Sequence, residues 1–184
     1  MKDGEDPYPV YPIDPDIPKG NPDHPFAELR DRAWEGKFTL GWDDAFLYLG
    51  IEAKETPANI KILLDLDDDG WFVGADNFDI RVKDGVSFEP RFHNCGVEGK
   101  WPFYEAGRLE VGRDVFFESE FEKDLFRLRF RVARSPGLGL DLEAGERIGM
   151  LIAVGPKGGN GRPGQVGDLT LFEPHTFFRF TLKE

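Results

Sequence analysis

The segment DLDDDGWFVGAD, at positions 65–76, is the sharpest local signal for metal binding in the sequence. Three aspartates occupy alternate positions before a glycine, as in the first half of a D-x-D-x-D-G loop. Calcium binds six to eight oxygens, and alternate carboxylates on a tight turn converge on one point while glycine lets the backbone fold around the ion. The sequence therefore predicts a calcium site whose ligands are Asp65, Asp67, Asp69, the carbonyl of Trp71, and Asp76 at the twelfth position.

The flanks of this segment resemble strands, so we expect the motif on a hairpin connection and not between two helices. An EF-hand normally has glutamate at the twelfth position, whereas this chain has Asp76. No lysine or arginine lies between Asp65 and Asp79, and a divalent cation would relieve the repulsion among these carboxylates. The alternative is a solvated acidic turn, in which Asp and Gly serve turn geometry alone.

Residues for catalysis are sparse. The histidines are far apart and show no zinc-binding spacing, and the sequence contains no nucleophile elbow, P-loop or dinucleotide-binding motif. A single cysteine, Cys95, is interpreted as a structural thiol, and it permits no disulfide within the chain. We therefore predict a protein that is not an enzyme, although a pair of carboxylates for glycoside hydrolysis is defined only by its spatial separation.

Three aromatic residues stand outside the alternating apolar rows and are candidates for stacking on sugar rings. Trp71 adjoins the acidic turn, and Trp101 and Tyr104 lie in the loop GKWPFY. Such rings pack against the C–H faces of sugars, while neighbouring polar groups bind the hydroxyls. The alternative for each ring is burial in the core. These residues predict a glycan, either a polysaccharide or an oligosaccharide, as the ligand.

The negative charge of the chain argues against nucleic acid and anionic membrane surfaces as partners. The 184 residues include 35 acidic and 23 basic side chains, for a net charge of −12. This surface repels nucleic acid phosphates and anionic lipid headgroups. No apolar run approaches the roughly 18 residues that a spanning helix needs, so we expect no membrane insertion.

The pattern of apolar residues predicts an all-β domain. From Lys37 onward apolar and polar residues alternate, and short strand candidates are separated by Gly, Asp and Pro clusters, as in an antiparallel β-sandwich of jelly-roll type. Residues 1–25 are rich in proline and predict an extended arm or linker. Residues 26–184 form the predicted domain, which begins with a short helix because Phe26, Leu29, Ala33 and Trp34 recur at near-helical spacing.

One predicted strand carries a row of arginines. Phe126, Leu128, Phe130 and Val132 alternate with Arg127, Arg129 and Arg131, so the apolar and cationic residues face opposite sides. The arginines are interpreted as a solvated outer face. The alternatives are pairing with acidic residues of a neighbouring strand, or a groove that receives hydroxyl-rich ligands.

Three stretches resemble the family 9 carbohydrate-binding modules and their looser relatives, over about residues 30–184. They are WEGKFTLGWDDAFLYLGIEAKE, ILLDLDDDGWFVGADNFDIRV and LFEPHTFFRFTL. The resemblance implies a β-sandwich that commonly holds calcium, binds sugar between two aromatic side chains and forms part of a larger secreted or cell-surface protein. Where sugar-binding members place a tryptophan followed by acidic residues, before the strand that is predicted here over residues 60–66, this chain has ETPAN.

Two other functions are compatible with the sequence. One is a structural or interaction domain that kept the fold and lost the sugar site. The other is a haem-binding redox module of related fold, for which Met150 would pair with His93 or His175 as axial ligand. The alternative role of Met150 is a core side chain.

Overall fold

The computed structural model describes residues 16–31, 34–54, 59–68, 77–83, 87–92, 110–155, 164–166 and 178–184. Within these ranges the chain is built of strands, with one short 3-10 turn at Pro136–Leu138. The strands are β1 Asp16–Pro18, β2 His24–Asp31, β3 Trp34–Trp42, β4 Phe46–Ala53, β5 Asn59–Asp65, β6 Asn77–Lys83, β7 Ser87–Phe92, β8 Val115–Glu122, β9 Leu125–Ala133, β10 Arg147–Gly155, β11 Gly164–Val166 and β12 Phe178–Lys183.

The strands form two sheets. The seven-stranded sheet has the order β1-β12-β10-β5-β6-β7, and β11 pairs with β10 beyond the end of β12. The five-stranded sheet has the order β2-β3-β4-β9-β8. All these neighbours are antiparallel except β1, which runs parallel to β12. The predicted fold class, an antiparallel β-sandwich, is confirmed.

The core lies between the sheets and is supplied by alternate residues of the strands. Burying a large apolar side chain contributes about 1.5–3 kcal/mol, so these rows supply the main favourable term in folding. Met150 is one of these core residues and is fully buried. The inward rows are Phe38, Leu40 and Trp42 of β3, Leu47, Leu49 and Ile51 of β4, Ile60, Ile62 and Leu64 of β5, Phe126, Leu128, Phe130 and Val132 of β9, Ile148 and Ile152 of β10, and Phe178, Phe180 and Leu182 of β12.

The short helix predicted near residue 26 is wrong. This segment is β2, which pairs with β3 from His24↔Leu40 to Asp31↔Trp34. The register shifts between Pro25 and Ala27, so a bulge interrupts the period of two and leaves apolar residues at spacings that resemble a helix. Pairing with the long strand β3 therefore outweighs the local pattern.

The proline-rich segment joins both sheets where it is described. β1 pairs with β12 in the first sheet, Gly20 then turns with a φ of 76°, and β2 enters the second sheet. The indole N–H of Trp42 donates a 2.8 Å hydrogen bond to the carbonyl oxygen of Ile17, and the N–H of Gly20 donates one of 2.7 Å to the carbonyl of Trp42. Residues 16–25 are thus paired with the sandwich, while residues 1–15, to which the arm prediction also applies, lie outside the described residues.

Candidate functional site

The acidic turn follows β5, at the end of a central strand of the larger sheet. Asp65 is the last residue of β5 and is fully buried. Its neighbour Leu64 belongs to the core, so Asp65 faces the opposite side of the sheet. Gly149 of β10 lies directly across, where an added Cβ would stand 3.2 Å from Cβ of Asp65. Asp67 is exposed.

The aspartate between the predicted ligands has a different role. Asp68 has a φ of 50°, and its side chain is only 7% exposed. It accepts a 2.5 Å hydrogen bond from Nε of Arg179 and lies 3.5 Å from Nε of Arg147. These contacts attach the turn to β12 and β10. The sequence motif gave no reason to single out Asp68, because it occupies a position between ligands.

The predicted calcium ligands are only partly covered by the structure. Asp65 and Asp67 are described, whereas Asp69, Trp71 and Asp76 lie outside the described residues. Among the residues that are described, no three His, Cys, Asp or Glu side chains are gathered as a metal site. The calcium site therefore stays a prediction.

The outer face of the five-stranded sheet gathers polar and aromatic side chains from four strands. The strand register places them in three parallel rows, each running across β3, β4, β9 and β8. The rows are Gly41, Tyr48, Arg131 and Phe116; Thr39, Gly50, Arg129 and Glu118; and Lys37, Glu52, Arg127 and Glu120.

A groove of about 400 Å³ opens over the first two rows. Gly50 lies in its lining without a side chain, and Oγ1 of Thr39 occupies the place that a Cβ of Gly50 would take. Two loops border the groove, one containing Pro22 and Asp23 and the other containing Val111 and Gly112. Small-molecule sites usually measure about 300–1,000 Å³, so the groove is of ligand size.

Arg131 is fixed at one end of the groove by two aromatic rings. Its guanidinium lies 4.7 Å from the centroid of Phe46 and 4.7 Å from that of Phe116. The rings themselves meet edge to face, with centroids 5.6 Å apart. Cation–π contacts of this kind orient a guanidinium while its N–H groups remain available around its rim.

Tyr48 is oriented by Asp43. Its hydroxyl donates a 2.6 Å hydrogen bond to Asp43, which also accepts 2.8 Å bonds from the backbone N–H groups of Ala45 and Phe46. Partial burial alone would raise the pKa of Asp43, but these hydrogen bonds lower it below its ordinary value. Burial and the bond to Asp43 raise the pKa of Tyr48, so the phenol stays protonated and its oxygen can still accept from a ligand.

The three arginines of β9, Arg127, Arg129 and Arg131, lie in three different environments. Arg127 lies 3.3 Å from Glu52 and 3.3 Å from Glu120, so it pairs with both neighbouring strands. Arg131 contacts the rings described above. Arg129 is exposed in the groove and forms no ion pair within the described part of the chain, although Glu118 stands opposite it in register. Cross-strand pairing is thus observed for Arg127, and Arg129 and Arg131 line a groove. That this groove receives hydroxyl-rich ligands stays a prediction.

Several solved structures have a fold similar to that of this chain. The chain shares the fold of family 9 carbohydrate-binding modules. Two such modules from Caldicellulosiruptor kristjanssonii, in complex with cellotriose and with glucose, are each 17% identical. Their TM-scores are 0.63 and 0.61, and the alignments cover 91% and 98% of this chain and 92% and 88% of theirs. The resemblance inferred from the sequence is confirmed at the level of fold.

A third similar structure is a Bacteroides uniformis protein proposed to bind carbohydrate. It is 11% identical, with a TM-score of 0.63, and the match covers 93% of this chain and 99% of that one. No protein-family model matches the sequence, and no curated protein matches it. The described residues include no helix of the length and apolarity needed to cross a bilayer.

The predicted stacking residues Trp71, Trp101 and Tyr104 lie outside the described residues. The groove instead brings together Tyr48, Phe116 and Glu118, which sequence reasoning did not single out. The sequence showed only that these residues alternate with apolar residues within β4 and β8. It could not show that they lie side by side, because cross-strand neighbours depend on strand register.

We expect the stability provided by Asp43 to depend on pH. Its folded pKa is lowered, so the carboxylate stabilises the fold above its ordinary pKa of 3.8, and this contribution is lost as the pH falls through the folded value. Asp43→Asn should cost about 1 kcal/mol at pH 7, a modest amount because the group is partly exposed, and less at pH 3. Urea unfolding at both pH values measures the difference. The exposed Asp124→Asn serves as control, and an equal cost of Asp43→Asn at both pH values would contradict the assignment.

The close approach of Gly50 to Thr39 predicts that substitutions at these two positions have strongly coupled effects on the free energy of unfolding. A Cβ at Gly50 would collide with Oγ1 of Thr39, its buried cross-strand neighbour. Gly50→Ala should therefore cost about 1–3 kcal/mol in the native background and clearly less in a Thr39→Ala background. A double-mutant cycle by chemical denaturation measures the coupling, and equal costs in the two backgrounds would show that no such collision occurs.

Proposed function

We propose that the protein is a non-catalytic carbohydrate-binding module. The observation that carries this proposal is the groove on the five-stranded sheet, where guanidinium, carboxylate, phenol and phenyl groups surround a floor at Gly50. Each sugar hydroxyl both donates and accepts hydrogen bonds, so a sugar needs both kinds of partner. Its C–H faces also pack against rings such as Phe116.

The fold supports the same proposal, because the similar modules from Caldicellulosiruptor kristjanssonii hold cellotriose and glucose. These two sugars are accordingly the first ligands to test. We also propose that Trp71, Trp101 and Tyr104 contribute stacking surfaces, and that the module belongs to a larger secreted or cell-surface protein.

A glycan array tests this function. The native protein and the variants Trp71→Ala and Trp101→Ala would be applied to plant, fungal and bacterial glycans, with and without calcium. Reproducible binding to a defined glycan class is the expected result, and its loss in one tryptophan variant would locate a stacking ring. Binding to no glycan at all would overturn the proposal in favour of a structural or interaction domain.

We further propose that the acidic turn binds calcium. Asp65 and Asp67 offer carboxylates on alternate positions, and the side chain of Asp68 is engaged by Arg179 and Arg147. This division agrees with a loop in which Asp65, Asp67 and Asp69 serve the ion. When bound, calcium would neutralise the turn and hold it in shape.

Removal of calcium is expected to lower the melting temperature. A ligand at 100 times its Kd stabilises the folded state by about 2.7 kcal/mol, which corresponds to a shift of several degrees. Melting curves with calcium and with chelator would be recorded for the native protein and for Asp67→Ala. The variant should respond less than the native protein, whereas identical melting of the native protein in both conditions would rule out the site.

A further inference from the structure

The geometry of the groove points to a neutral sugar unit as its ligand, selected by Arg129 and Glu118. This inference rests on the proposed carbohydrate-binding function and names both the ligand class and the residues that recognise it. The groove is a defined place on the outer face of the five-stranded sheet, between the loop of Pro22 and Asp23 and the loop of Val111 and Gly112.

The charges of the groove favour an uncharged ligand. Its charged lining residues are Asp23, Glu118, Arg129 and Arg131, two of each sign. An acidic sugar would gain from the guanidiniums but would be repelled by the carboxylates and by a chain of net charge −12. A neutral sugar accepts from the guanidiniums and donates to the carboxylates at no such cost.

Arg129 and Glu118 are suited to form hydrogen bonds with neighbouring hydroxyl groups of one sugar. They stand opposite each other in register on β9 and β8, so their Cβ atoms are about 4.5–5.5 Å apart. Both are exposed, and neither forms an ion pair with another described residue. Their hydrogen-bonding groups can therefore turn toward the same ligand, with a donor fork from Arg129 and acceptor oxygens from Glu118.

The surrounding groups complete the site. Arg131 and Phe116, held together by a cation–π contact of 4.7 Å, supply N–H donors and an apolar ring to the lining. Tyr48 donates to Asp43 and presents its oxygen as an acceptor. Gly50 lines the groove without a side chain of its own, because Oγ1 of Thr39 lies where its Cβ would stand.

Arg127 provides a matched control. It lies on the same strand and the same face as Arg129, two residues away, but outside the groove lining. Its guanidinium is occupied by Glu52 and Glu120. Arg127→Ala thus removes an equal charge from the same surface without removing a group from the groove.

Isothermal titration of the native protein and three variants tests the inference. The probes are the neutral trisaccharides cellotriose, xylotriose and mannotriose, together with anionic trigalacturonate, in 50 mM and 500 mM salt. We expect at least one neutral probe to bind with nearly salt-independent affinity. Its Kd should rise at least about 10-fold in Arg129→Ala and in Glu118→Gln, equivalent to about 1.4 kcal/mol, and at most about 2-fold in Arg127→Ala. Melting curves would verify that all the variants are folded.

Two results would overturn the inference and leave the proposed function standing. The first is preferred, salt-sensitive binding of trigalacturonate, which would assign the groove to acidic sugars. The second is unchanged sugar affinity in folded Arg129→Ala and Glu118→Gln, which would place the sugar elsewhere on the module. Absence of binding to every probe and to the glycan array would instead remove the proposed function itself.

Discussion

Trp42→Ala is expected to lower the free energy of unfolding by about 3–5 kcal/mol. Trp42 is only 1% exposed and is among the largest buried side chains of the core. Its removal leaves a cavity between the sheets and deletes the 2.8 Å hydrogen bond to the carbonyl of Ile17, which attaches β1 to the second sheet. A single domain is stable by about 5–15 kcal/mol, so this variant should be close to unfolding at physiological temperature.

Trp42→Phe separates the two contributions of this residue. Phenylalanine retains most of the apolar contact but cannot donate to Ile17, so we expect a smaller loss of about 1–3 kcal/mol. Both variants would be measured by urea unfolding, followed by circular dichroism. A loss below about 1 kcal/mol for Trp42→Ala would contradict the burial of the indole between the sheets and its hydrogen bond to Ile17.

Gly41→Ala is expected to cost about 3 kcal/mol and also to weaken sugar binding. A Cβ at Gly41 would collide with the carbonyl oxygen of Asn21 and with Cα of Pro22. Both are backbone atoms, so relief requires the whole segment to move away from the sheet. Because Pro22 and Asp23 border the groove, the same movement would widen it and loosen its contact with a ligand.

Gly137→Ala is the matched control for this substitution. Gly137 has open space around the position of an added Cβ, so this variant should stay within about 0.5 kcal/mol of the native protein. Unfolding curves and titration with the best-binding trisaccharide would be recorded for both variants. Native stability and affinity in Gly41→Ala would contradict the close crossing of the segment over β3.

Much of the sandwich could be predicted from sequence because alternation is a local property. The pattern in β9 assigned Phe126, Leu128 and Phe130 to the core and the arginines to the outer face, as observed. Trp42 continues the alternation that begins at Lys37 and lies in the inward row of β3. A period of two fixes the face of each residue without knowledge of the neighbouring strands.

Local sequence patterns predicted the wrong secondary structure where pairing between strands decided it. The segment from Phe26 to Trp34 has helical spacing, yet it is divided between β2 and β3, and the bulge after Pro25 explains the irregular spacing. The acidic turn shows the same limit on a smaller scale. Its motif named Asp65 and Asp67, but the role of Asp68 depends on Arg147 and Arg179, which are distant in sequence.

The sequence by itself determined the class of fold, the inward rows and the cationic face of β9. Only the tertiary structure decided that Tyr48, Glu118 and Arg129 share one groove, that Gly50 lies in its lining and that Pro22 borders it. The physical reason is that the face of a residue follows from its own strand, whereas its neighbours follow from the register between strands that are far apart in the chain.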